Sequence, residues 1–107
     1  MSDFGSVFDA LGDPTRRRVL ADLSALGEAS CTDLSRGMPI SRQAVSKHLN
    51  ALADAGLVST QRQGREVVYR VRPEPLTDAV RWMTQVGSAW DDRLSALRSQ
   101  LKRRKRG

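Results

Sequence analysis

Five side chains between residues 42 and 50 carry the chemistry that this sequence advertises. Arg42, Gln43, Ser46, Lys47 and Asn50 are cationic, amide or hydroxyl hydrogen bonders. At about 100° per residue they share one side of a helix, within an arc of about 140°. Amide and hydroxyl groups read base edges in a DNA groove, and Arg and Lys also neutralise phosphates. Between them runs an apolar stripe, Val45, Leu49, Leu52 and Ala53, at i, i+4, i+7 and i+8. Ser41 is a suitable N-cap for such a helix. Ile40 and Val45 are spaced as a hydrophobic staple, and Gly56 supplies a left-handed stop.

The residues after the stop add a second basic element. Leu57, Val58 and Thr60 begin one strand, and Glu66–Val71 form another. Between them lies Arg62-Gln63-Gly64-Arg65, a glycine turn flanked by cations, so the pair is expected to be a hairpin. A reading helix followed by a basic-tipped hairpin is the order of a winged helix-turn-helix. The candidate DNA-contacting residues are therefore Ser41, Arg42, Gln43, Ser46, Lys47, His48 and Asn50 on the helix, with Arg62, Gly64, Arg65 and Tyr69 on the wing.

The elements that must position them are legible upstream. Phe4, Val7, Phe8 and Leu11 give a short helix over Asp3–Leu11 with one apolar stripe. Asp13-Pro14 reads as N-cap and first helical residue, opening a helix to about Leu26 with Val19, Leu20, Leu23 and Leu26 inward. Arg16, Arg17 and Arg18 lie near its start, where the helix dipole disfavours cations. Phosphate contact or pairing with Asp9, Asp13 or Asp22 would explain them. Gly27 ends that helix. Ser30-Cys31-Thr32-Asp33 reads as a capped start with a carboxylate in the capping-box position. The short helix that follows ends by Gly37, before Pro39, and the turn through Ile40 completes a helix-turn-helix.

A long helix follows Pro73 and Pro75. Leu76, Val80, Met83, Gly87, Trp90, Leu94, Leu97 and Leu101 recur at alternating spacings of four and three. A domain this small cannot easily bury such a helix alone. The expected interface with a second copy is Phe4, Val7, Phe8, Leu76, Val80, Met83, Gly87, Trp90, Leu94 and Leu97. Gly87 would allow close backbone approach.

Composition narrows the class. The chain has 107 residues, a net charge of +6 and a single cysteine. One domain over 1–101 with a basic tail over 102–107 is expected. The first 35 residues carry three arginines against six acids, whereas 36–72 carry seven cations against Asp54 and Glu66. That bias sits where phosphate contact requires it. No apolar run has the length of a membrane span, no secretory signal is visible and no intrachain disulfide is possible, so a cytoplasmic protein is expected. No nucleophile–base–acid set or phosphate loop marks an enzyme, and no cofactor is implied.

The expected fold is mostly α with a small β-hairpin, in the order α-α-α-α-β-β-α. The motifs Leu11-Gly12-Asp13-Pro14-Thr15-Arg16, Ser41–Leu49, Leu52–Val58 and Gly64–Tyr69 resemble the ArsR family of bacterial winged-helix repressors. The resemblance covers about residues 4–101. It implies a homodimer joined through its first and last helices, with recognition helices in successive major grooves of an imperfect palindrome. Metal-sensing members carry two cysteines flanking one residue, and here those positions hold Ser30 and Thr32 around Cys31. The second sensing region uses histidine with carboxylates, and residues 76–101 contain no histidine. A metal-independent repressor of double-stranded DNA is therefore expected, with no effector identified. Two other readings stand beside it: a thiol-responsive repressor using Cys31, and a winged-helix module that binds protein.

Overall fold

A computed structural model describes residues 4–106. Eight elements follow in order: α1 (Gly5–Leu11), α2 (Pro14–Leu26), β1 (Glu28–Ala29), α3 (Cys31–Arg36), α4 (Arg42–Asp54), β2 (Val58–Gln63), β3 (Glu66–Val71) and α5 (Glu74–Arg106). Asp3, the expected start of the first helix, and Gly107, the last residue of the expected tail, lie outside the described residues.

α2, α3 and α4 each begin where a side chain can take up free backbone N–H groups. Asp13 Oδ1 accepts from Thr15 N at 2.8 Å and Arg16 N at 3.1 Å, with Pro14 at the first helical position. Ser30 Oγ accepts from Asp33 N at 3.1 Å, and Asp33 Oδ2 accepts from Ser30 N at 3.1 Å, closing a reciprocal capping box. Ser41 Oγ accepts from Ala44 N at 3.1 Å. α4 ends in a Schellman motif. Leu57 N donates to Leu52 O and Gly56 N to Ala53 O, both at 2.9 Å, and Gly56 takes φ 77°.

The chain forms two compact units, divided after Leu76. In the first, Val19, Leu23, Leu34, Val45, Leu49, Leu52 and Leu57 are fully buried. They come from α2, α3, α4 and the segment entering β2, so the helix-turn-helix closes its core within this unit. The sheet is antiparallel with order β1-β3-β2. Its first strand is a finding beyond the expected two-stranded hairpin. Glu28 pairs with Arg70 and Ala29 with Tyr69, and Arg70 Nε donates to Glu28 Oε2 at 2.8 Å.

The second unit contains most of α5, a helix of 33 residues in all. It continues without a break through Leu101 to Arg106. No helix among the described residues is long and apolar enough to cross a membrane.

Two packing expectations are corrected. Leu26 was expected inward but is exposed, because it closes the last turn of α2 just before Gly27 leaves the helix with φ 82°. Val7 was assigned to an intermolecular face but is buried within its own unit, where α1 packs on α2. Phe8, one position on, remains exposed.

Candidate nucleic-acid interface

α4 divides cleanly around its axis. Val45, Leu49 and Leu52 have no exposed surface. Arg42, Gln43, Lys47 and Asn50 are exposed, and Ser46 is half-buried at the border. The apolar side is sealed, so the polar side cannot rotate inward without opening the core. That fixes a row of hydrogen-bonding side chains to solvent before any ligand arrives, which lowers the ordering cost of binding. Ser41 stands at the head of the row with its hydroxyl committed to the cap.

His48 does not join this row. On the helix it falls beyond the buried stripe, roughly 240° round from Arg42. It is half-buried, and its Nδ1 is buried with no hydrogen-bond partner among the described residues. Its charge helps to lower the Asp13 carboxyl, although the backbone N–H of Arg16 is the larger cause. By helical phase His48 stands apart from the other helix residues expected at a duplex.

The wing protrudes. Ser59, Thr60, Gln61, Arg62 and Gln63 on β2 are all exposed, as are Gly64 and Arg65 at the tip. Gln63 pairs with Glu66, leaving a two-residue turn. Gly64 takes φ 65°, and the positive φ falls on it alone, the pattern of a turn with glycine first. Thr60, Gln61 and Gln63 are not among the DNA contacts expected from the sequence. The available signal was the absence of alternation over 59–63, since a strand polar on both faces has no core beneath it.

Tyr69 is corrected in the other direction. It is only 7% exposed, paired with Ala29 on one side and Thr60 on the other. Burial raises its phenol above the ordinary range, and the Cys31 thiol beside it adds to the rise. It is a core residue joining wing to α3, not a surface contact.

The arginine triplet at the start of α2 also finds a structural explanation. Arg16 Nη1 donates to Ala10 O at 3.5 Å and Arg17 Nη1 to Leu11 O at 2.6 Å, both carbonyls at the end of α1. Arg18 Nη2 donates to Gly37 O at 3.2 Å, at the end of α3, and its Nε lies 3.9 Å from Asp22. Cations that look misplaced on their own helix thus satisfy carbonyls at the negative ends of two others.

No group of three His, Cys, Asp or Glu converges among the described residues. At the positions where metal sensors of the resembled family carry thiols, the Ser30 hydroxyl serves the capping box and the Thr32 carbonyl accepts from Ser35 Oγ at 3.0 Å.

A sealed helix-turn-helix with an exposed polar face on α4 and an exposed wing defines a winged helix-turn-helix, the fold of DNA-binding transcriptional regulators. A helix-turn-helix domain model matches residues 11–61. The chain is 37% identical over 78 residues to the transcriptional repressor SdpR of Bacillus subtilis, covering 73% of this chain and 86% of that one. It is similar to the structure of an ArsR-like transcriptional regulator from Rhodococcus sp. RHA1, with TM-score 0.79, 41% identity and 88% of each chain covered. A winged helix-turn-helix DNA-binding domain from Mycobacterium bovis, described as homodimeric, matches with TM-score 0.61 and 28% identity over 80% of this chain and 76% of that one. The chain belongs to the ArsR family of transcriptional regulators.

Proposed function

We propose that this protein is a homodimeric repressor that occupies an inverted-repeat operator and takes no metal effector. α4 lies in the major groove, with Gln43 and Ser46 on base edges and Arg42 and Lys47 mainly on phosphates. The wing tip, through Arg62 and Arg65, rests on the backbone. The sealed back of α4 carries this reading, because it leaves the five polar residues one surface to present.

The apolar stripe on α5 supports the dimer. Val80, Met83, Trp90, Leu94, Leu97 and Leu101 are exposed, Trp90 by 57%. Covering the exposed half of each such side chain contributes on the order of 1 kcal/mol. A Cβ at Gly87 would meet nothing within 4 Å in this chain, which leaves room there for close approach by a second copy. A single reading helix spans only a few base pairs, and two joined copies combine the energies of both half-sites. The homodimeric Mycobacterium bovis domain and the repressor name of SdpR point the same way.

The test is binding to the intergenic DNA beside the gene. The expected result is protection of an inverted repeat whose half-sites are about one helical turn apart, or a multiple of that. Zinc, cadmium, arsenite and chelators should leave affinity unchanged. Gln43→Ala should cost about 1–3 kcal/mol on that site and relax one position of it. Equal losses on operator and random DNA would remove Gln43 from base reading.

One observation favours a second reading. Cys31 is half-buried beside the buried Tyr69 and helps to raise its phenol. Oxidation there would add a polar group between α3 and β3 and disturb the wing. Loss of operator binding under mild oxidant, absent in Cys31→Ser, would establish it.

A further inference from the structure

The strongest charge feature of the chain lies outside the reading helix and the wing. From Arg93 to Arg106 there are seven cations and no acid. The acids of α5, namely Glu74, Asp78, Asp91 and Asp92, all precede this stretch. Five of the cations, Lys102 to Arg106, are consecutive and continue the helix. We infer that this end of α5 is a second, sequence-independent DNA-binding element that takes duplex phosphates flanking the operator. The inference rests on the operator-binding reading above.

The helix dipole favours cations in this last turn, but it does not call for five of them in succession. Cations near a helix C-terminus gain about 0.3–1 kcal/mol each from the dipole, but only within the last turn. Like charges three and four residues apart cost about 0.2–0.5 kcal/mol per pair. The run contains three such pairs, 102–105, 102–106 and 103–106, and Arg98 adds a fourth with Lys102. No acid lies within four residues of any of the five to relieve them. An external polyanion relieves all of them at once and releases its own counterions in doing so.

The pattern also selects among polyanions. The apolar stripe stops at Leu101, and residues 102–106 are all Lys or Arg. Residues 102–106 therefore have no apolar face to lay into a lipid headgroup layer, which a membrane-surface helix needs. Nor have they an apolar face to pack on a second copy. Outside this run the chain is nearly neutral, and only 36–72 is strongly basic. Added affinity for phosphates of any sequence would help the regulator find its site along DNA.

The experiment uses the full chain carrying Lys102→Gln, Arg103→Gln, Arg104→Gln, Lys105→Gln and Arg106→Gln together. Glutamine keeps helix propensity close to that of Lys and Arg. A control variant, Arg103→Lys, Arg104→Lys and Arg106→Lys, keeps the charge. Fluorescence anisotropy across a salt series compares an operator duplex with long flanks and a random duplex. The glutamine variant should reduce the slope of log affinity against log salt by about 2–4 units on both. The ratio of operator to random affinity should stay unchanged, and the lysine variant should behave as wild type. An unchanged slope overturns the inference, as does a lysine variant that loses slope. Loss confined to vesicles containing phosphatidylglycerol, with DNA binding intact, also overturns it. A wild-type chain that does not prefer an operator, yet loses slope in the glutamine variant, defeats the operator reading and leaves this one standing.

Discussion

α4 and α5 carry apolar residues at similar helical spacing, yet they end in opposite situations. Val45, Leu49 and Leu52 have no exposed surface, whereas Val80, Trp90, Leu97 and Leu101 are each exposed by half or more. The sequence stripe is the same kind of signal in both. What differs is the supply of neighbours. α2 and α3 both pack on α4, while α5 runs for 33 residues, about 50 Å at 1.5 Å per residue, beyond what a chain of 107 residues can readily cover. An amphipathic pattern therefore states that a face needs covering, and chain length decides whether the cover is internal.

The largest effect should come from setting the two stripes against each other. Leu49→Ala removes a side chain with no exposed surface and should cost about 2–5 kcal/mol through lost transfer energy and a cavity. Its thermal midpoint should fall whatever the protein concentration. Leu94→Asp should leave circular dichroism of the first unit intact but give a monomer by sedimentation, with operator binding lost. The concentration dependence of the wild-type midpoint should vanish with it. A Leu94→Asp dimer that binds normally would mean that the stripe on α5 has no role between copies.

Much of the α4 side of this comparison was legible in the sequence, because its determinants are local. Asp13-Pro14, Ser30 with Asp33, Ser41 and Gly56 act over two to five residues, and each makes the bond that its spacing implied. The parts that were not legible depend on distant pairing. β1 is two residues long and exists because Glu28 and Ala29 meet Arg70 and Tyr69 some forty positions later. That ladder also turns Tyr69 inward, which the hairpin considered alone does not reveal. His48 was a matter of phase, since its position among polar neighbours hid that it projects past the buried stripe. The Arg16–Arg18 triplet needed the ends of α1 and α3 in space before its carbonyl partners appeared.

The wing sharpens the comparison from the side of the ligand. Arg62 and Arg65 are exposed, while Arg70 on the same hairpin is held by Glu28. Arg62→Ala with Arg65→Ala should reduce the salt slope of DNA binding by about 1–2 units. Arg70→Ala should leave that slope unchanged and act on stability alone. Equal slopes in wild type and the double variant would detach the wing from the duplex.

The N-caps offer a smaller and more selective test. α2 is capped by a carboxylate, whereas α4 is capped by the neutral Ser41. Asp and Ser are nearly equivalent N-caps, so folding stability does not dictate this choice. In the proposed pose the head of α4 approaches phosphates, where a carboxylate would repel. Ser41→Asp should keep the thermal midpoint within about a degree or two and weaken DNA binding several-fold, less so in high salt. A variant that binds as tightly as wild type would place the head of α4 away from the backbone.

The same contrast predicts the weakest effect, a pH dependence centred on the carboxylates that cap α2 and α3. The Asp13 carboxyl lies below its ordinary value of 3.8, held there mainly by the backbone N–H of Arg16, with Thr15 N and the charge of His48 assisting. Asp33 is lowered too, chiefly by the backbone N–H of Ser30. A carboxyl lowered by folding contributes stability that is complete above its unfolded value. That contribution is lost as pH falls through the folded one. Stability should therefore decline on the acid side, beginning near the ordinary carboxylate range, with no contribution from Ser41 because its hydroxyl does not titrate there. Asp13→Asn retains an oxygen that can accept from Thr15 N and Arg16 N but removes the charge. Its thermal midpoint should fall less steeply than wild type between about pH 5 and pH 2. An acid limb identical in wild type and Asp13→Asn would show that the cap of α2 is held equally well without its charge, and would leave Asp33 as the carboxylate to test next.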